Sequence, residues 1–141
     1  MAGDRAELAA EAGALSARLF HVVERARAEF EAEAAKVRLT AQQARTLLFL
    51  REPRPMGDLA EHLGCDPSNV TGIADRLERC GVIERLPGED RRVKVLRLTA
   101  SGESKRQRLA QVVGRRSTVM AKLTKQQRAQ LAGLLDALLA D

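Results

Sequence analysis

The 141-residue chain has no tryptophan, no tyrosine and only three phenylalanines, Phe20, Phe30 and Phe49. It therefore cannot build the interleaved aromatic platform on which single-stranded nucleic acids stack. Cysteine is almost as scarce. Cys65 and Cys80 are too few for a disulfide framework, form no C-x-x-C pair and make no ligand cluster with His21 or His62. A reducing cytoplasm is the expected compartment, and neither a metal nor a cofactor is expected. No apolar run approaches the roughly 20 residues that span a bilayer, and the N-terminus lacks the basic-then-apolar pattern of a secretory leader. Ser-His-Asp, Cys-His, paired-carboxylate and phosphate-loop arrangements are all missing, which argues against an enzyme.

Hydrophobic residues make up 45% of the chain and charged residues 30%, a balance that supports a folded core. At roughly 100 to 200 residues per domain the chain reads as a single domain, too short for a (β/α)₈ barrel. Lys plus Arg number 24 against 19 Asp plus Glu, a net charge of +5 that favours an anionic partner. Without aromatic stacking groups, duplex DNA is the better fit to that charge.

Periodicity orders the chain. From Leu8 to Phe30 the apolar positions Leu8, Leu15, Leu19, Val22, Val23 and Phe30 recur at steps of three and four, opposite an acidic face that includes Glu7, Glu11, Glu24 and Glu31. This long helix packs either on its own domain or on a second subunit. Thr40-Ala41-Gln42-Gln43 has capping-box form and starts a second helix that stops before Pro53. Pro53 and Pro55 read as a rigid bend. Leu59, Ala60 and Leu63 mark a short third helix closed by Gly64, after which Asp66 caps a fourth with Pro67 at its first position and Gly81 at its end. Val82–Leu86 and Val93–Leu98 are rich in β-branched residues and flank a charged turn, so they read as a β-hairpin. Thr99 caps a helix expected to run through Leu109, Val119 and Leu123, and Thr124-Lys125-Gln126-Gln127 starts a last helix with Leu131, Leu134, Leu135, Leu138 and Leu139 on one face.

Two short helices joined by Gly64-Cys65-Asp66 have helix-turn-helix form. On the second of them Val70, Ile73, Ala74 and Leu77 form the buried stripe, leaving Ser68, Thr71, Gly72, Asp75, Arg76 and Arg79 outward and Asn69 at the flank. That outward face is short, polar and able to bond base edges. A hairpin directly after it, with Arg91 and Arg92 at its tip, makes the arrangement a winged helix, and the tip can reach phosphates or a narrow minor groove.

Residues 39–102 resemble the MarR family of bacterial transcriptional regulators. The resemblance is carried by Leu63-Gly64-Cys65-Asp66-Pro67-Ser68-Asn69-Val70-Thr71, by Asp75-Arg76-Leu77-Glu78 and Gly81-Val82-Ile83, and by Asp90-Arg91-Arg92 followed by Leu98-Thr99-Ala100-Ser101-Gly102, similar to the family's D-x-R and L-T-x-x-G. It implies a mainly α fold with a small β-hairpin wing, in which residues 7–36 and 100–141 form a helical dimerisation region and 39–99 a winged helix-turn-helix. It implies a homodimer that reads a pseudo-palindromic operator, with Leu15, Leu19, Leu131, Leu134, Leu135 and Leu138 in the interface. Ser68, Asn69, Thr71, Gly72 and Arg76 would face bases or adjacent phosphates, Arg92 with its neighbour Arg91 would serve the wing, and Asp75 and Asp90 would position arginines. Gly72 departs from the larger polar side chain common there.

Family regulators commonly answer to small phenolic or anionic molecules, for which Arg18, His21 and Arg45 are the candidate polar groups. The expected function is thus a cytoplasmic repressor released from its operator by such a ligand. The rivals are a ligand-binding or interaction protein that uses the winged helix for a protein partner, and a thiol-based redox-sensing regulator. Cys65 reads instead as a small buried core thiol, and Cys80 likewise. Residues 101–128 carry Lys105, Arg106, Arg108, Arg115, Arg116, Lys122, Lys125 and Arg128 against Glu103 alone. That basic run reads as a solvated face, as a partner for the acidic first helix, or as a long-range attraction for DNA.

Overall fold

The computed structural model describes residues 2–115 and 117–140. Its element order is α1 (Ala2–Lys36), α2 (Ala41–Phe49), β1 (Arg54–Pro55), α3 (Met56–Leu63), α4 (Pro67–Arg79), β2 (Ile83–Pro87), β3 (Lys94–Leu98), α5 (Ala100–Arg115), α6 (Thr118–Ala121) and α7 (Lys125–Leu139). Among these residues no helix is long and apolar enough to cross a membrane. The contacts group the chain into two units, one of residues 30–115 and one of residues 1–29 with 116–141.

The first unit is built around Leu47, Leu50, Leu59, Val70, Leu77, Val82, Ile83, Leu96 and Leu109, all essentially inaccessible. Burial of each such side chain contributes about 1.5–3 kcal/mol. Both turns around the helix-turn-helix close in the same way. The amide of Cys65 bonds Ala60 O while Gly64 takes φ +60°, and the amide of Val82 bonds Leu77 O while Gly81 takes φ +70°. These are the paired end-of-helix bonds that a left-handed residue permits, and glycine takes that conformation without a Cβ penalty. The end of α1 has the same bond pattern, Leu39 N to Ala34 O and Arg38 N to Ala35 O, with Arg38 as the left-handed residue at φ +60°. Lys105 Nζ of α5 donates to Val37 O at 2.8 Å beside it.

The hairpin pairs in the register Ile83↔Leu98, Arg85↔Leu96 and Pro87↔Lys94. It acquires a third strand that the sequence reading missed. Pro53 and Pro55 were expected to form a bend, but Arg54 and Pro55 pair with Leu96 and Val95, making a sheet of order β1-β3-β2. Proline is tolerated there because β1 is an edge strand and one side of it need not donate.

Two further expectations are corrected. The helix beginning after Thr99 does not run through Leu123: α5 ends at Arg115 and a separate turn, α6, starts under Ser117, whose Oγ accepts the Met120 amide. Serine favours such a cap over a helix interior because its hydroxyl competes for backbone groups. Asp66 holds the N-cap position of α4, yet its side chain makes no capping bond. Its carbonyl takes the Asn69 and Val70 amides, so the N3 amide is engaged by the main chain rather than by the carboxylate. Arg116, and the side chain of Arg115, lie outside the described residues.

In the second unit Leu15, Leu19, Leu134 and Leu138 are exposed, Leu138 at 72%, while Leu131 and Leu135 are half-buried. An apolar cleft of about 480 Å³ lies within this unit, lined by Val22, Val119, Leu123, Leu131 and Leu134 with Arg25 and Lys122 among its polar lining.

Candidate nucleic-acid interface

Helix α4 buries Val70, Ile73, Ala74 and Leu77 against the core and turns a polar edge outward. Pro67 at its first position costs nothing because that amide has no helical partner anyway. Ser68, Asn69, Thr71 and Arg76 are exposed, and Gly72 and Asp75 half-buried. The Thr71 hydroxyl donates to Pro67 O at 3.1 Å, which leaves its lone pairs to accept from outside the chain. An added Cβ on Gly72 would meet nothing within 4 Å, so no neighbour within the chain requires a glycine there.

The wing tip is organised by its own backbone. Gly88 N bonds Val93 O, Val93 N bonds Asp90 O, and the Arg92 amide donates to Asp90 Oδ1 at 2.9 Å. The Asp90 carboxylate is thereby spent on the turn, and it sets Arg92 through the main chain rather than through its guanidinium. Arg91 and Arg92 are exposed. Together with Ser68, Asn69 and Arg76 they have no side-chain hydrogen bond or ion pair among the described residues. Three cations and two neutral hydrogen-bonding groups left unpaired in one unit can be paired by a polyanion without breaking anything.

The wing root is rigid. Thr99 Oγ1 donates to Gly81 O at 2.7 Å and accepts from Gly102 N at 3.1 Å, while Thr99 N donates to Val82 O at 3.1 Å. Gly102 packs so closely that an added Cβ would fall 1.9 Å from Val82 O. Thr99 and Gly102 of the L-T-x-x-G run thus lock β3 and α5 onto the end of α4. Glu103 follows, bonded twice by Arg106 and once by Gln107. The Arg106 hydrogen bonds outweigh desolvation and hold its carboxyl at about 2, well below the ordinary 4.5.

Arg85 is the member of this site that sequence reasoning passed over. It stands on β2 and bonds Asp75 and Glu78 of α4. A signal was available, since Arg85 follows Ile83 by two residues and so shares its inward strand face, where a cation needs partners.

The remaining candidates are more scattered. Arg18 and His21 are exposed on α1 and Arg45 on α2. His62 stacks on Phe49, ring centroids 4.3 Å apart, with the Arg54 guanidinium 5.6 Å from the Phe49 centroid. Cys65 is half-buried and packs against the core. Cys80 was expected to be buried too but is exposed, because it follows the last turn of α4 beside Gly81 rather than lying on the inward stripe. Among the described residues no three His, Cys, Asp or Glu side chains gather as a metal site would require.

Residues 39–94 match the sequence model of the MarR family, and they coincide with the helix-turn-helix and most of its wing. Over those residues the chain is similar to the MarR family. The curated HTH-type transcriptional regulator YfiV of Bacillus subtilis (strain 168), itself uncharacterised, is 35% identical over 71 residues, a match that spans 48% of this chain and 44% of that protein. The solved apo form of MarR from E. coli is similar over 88% of this chain and 96% of its own, at 28% identity and a TM-score of 0.74. A variant of that protein complexed with operator DNA superposes with a TM-score of 0.75, again at 28% identity, over 88% of this chain and 93% of its own. The fold is shared with these solved regulators.

Proposed function

We propose that the chain is a dimeric, sequence-specific, duplex-DNA-binding transcriptional regulator of the cytoplasm, acting as a repressor. The observation that carries this reading is the polar edge of α4, with Ser68, Asn69 and Arg76 exposed and unpaired among the described residues, standing in one unit with the Arg91-Arg92 wing tip. Ser68, Asn69, Thr71, Gly72 and Arg76 read base edges or adjacent phosphates, and Arg91 and Arg92 contact the backbone or minor groove beside them. The operator complex of the E. coli relative supports the same use of the fold.

Dimerisation is supported by the exposed Leu15, Leu19, Leu134 and Leu138, apolar surface that a second copy would cover. Release by a small phenolic or anionic molecule is supported by the apolar cleft with Arg25 and Lys122 in its lining, Arg18 and His21 being further polar candidates within the same unit; Arg45 on α2 is a separate candidate in the other unit.

The test is selection from a random-sequence duplex pool followed by titration of the enriched fragments. A two-fold-related motif, bound well above random duplex, is the expected result. Enrichment of nothing over random duplex would overturn the reading.

A further inference from the structure

Arg85 projects from β2 on the face that packs against α4, its side chain 25% exposed. Its Nη2 donates to Asp75 Oδ1 at 2.5 Å and to Thr71 O at 3.5 Å, and its Nη1 to Glu78 Oε2 at 3.2 Å. Its Nε is buried with no acceptor among the described residues. As a stabilising device this is poor. Partly exposed ion pairs contribute little, and a buried donor without an acceptor subtracts from what they give. Nor does the fold need Arg85 to hold strand and helix together, since the Thr99 bonds and the Val82 amide already pin that junction.

What the contacts accomplish is electrostatic. Thr71, Asp75 and Glu78 follow one another along one side of α4 at steps of four and three, and Asp75 is also one turn from Gly72 and adjacent to Arg76 in sequence. The Asp75 side chain is 46% exposed beside the edge assigned to DNA. Duplex DNA carries one negative charge per roughly 1.7 Å of its axis, and a bare carboxylate on that edge would repel it. The geometry points to Arg85 as a charge-masking positioning residue: it neutralises Asp75, leans over Glu78 and lets the outward edge of α4 approach phosphate. This inference rests on the DNA-binding reading and adds a determinant that acts through Asp75 rather than by touching DNA itself.

The experiment uses the full chain and the duplex that it enriches from a random pool. Arg85→Met keeps the apolar stem and removes the charge. Affinity should fall by about tenfold or more, the scale of one unmasked like-charge contact, while the melting temperature stays near that of the parent. Asp75→Asn placed in the Arg85→Met chain should restore most of the affinity, and Arg85→Lys should retain it. Failure of Asp75→Asn to restore binding, parallel loss of melting temperature and affinity, or wild-type affinity in Arg85→Met would each overturn the masking role. A parent chain that enriches no duplex would overturn the DNA-binding reading, and this inference with it.

Discussion

Arg92 sits in the wing turn with its amide held by Asp90 and its guanidinium exposed, so its side chain can be removed without disturbing the turn. Arg92→Ala is expected to weaken operator binding by about 1–3 kcal/mol and to make its salt dependence shallower, because fewer counterions are displaced. Titrations at several salt concentrations check both; unchanged affinity and slope would remove the wing from the interface. Two glycines make a contrasting pair. At Gly102 a Cβ would collide with the Val82 carbonyl, so Gly102→Ala must push α5 off the wing root and should cost about 1–3 kcal/mol or more, read as a lower melting temperature. At Gly72 the same substitution meets open space within a helix, where alanine is favoured by about 1 kcal/mol. Gly72→Ala should therefore raise the melting temperature, and a simultaneous loss of duplex affinity would locate the close approach on the DNA side.

Among the elements, α5 opens on the Glu103–Arg106 pair. The folded carboxyl titrates at about 2 rather than 4.5, so its contribution is fully present above pH 4.5 and is lost as the pH falls towards 2. Acid melting of Glu103→Gln should lack that part of the decline, and a curve identical to wild type between pH 4.5 and 2 would show the pair to be without effect. Local signals made most of the element boundaries legible. Both threonine-glutamine boxes, Thr40 with Gln43 and Thr124 with Gln127, form as their four-residue spacing requires, and Gly64 and Gly81 take the left-handed caps that they announce. What escaped depends on partners distant in sequence. The pairing of β1 needs Leu96 and Val95 to be in place, and the polar side of α4 cannot be understood without Arg85 from the next strand. Arg38 takes a left-handed conformation with no glycine to announce it, and the start of α6 carries only Ser117 as its mark.

For the whole molecule, the leucine stripe of α7 makes the sharpest demand. Leu138 is largely exposed, so Leu138→Asp should leave each unit folded while placing a charge in the proposed subunit interface. A monomer with unchanged helicity is expected, its operator affinity falling towards the level for random duplex because two half-sites can no longer be read together. Sedimentation and duplex titration of the same preparation check this, and a monomer that binds the selected operator as tightly as wild type would show that assembly lies elsewhere. The net charge of +5 should persist in that monomer as weak, strongly salt-dependent attraction to any duplex.

The wing divides into a base tied by hydrogen bonds to the rest of the fold and a tip whose hydrogen bonds stay within itself. Thr99 and Gly102 clamp its base to the end of α4, whereas between Gly88 and Val93 the turn bonds only to itself. The turn is thus an interchangeable cartridge. A turn of equal length that keeps Gly88 can be transplanted there to test the proposed groove contact while the base stays as it is.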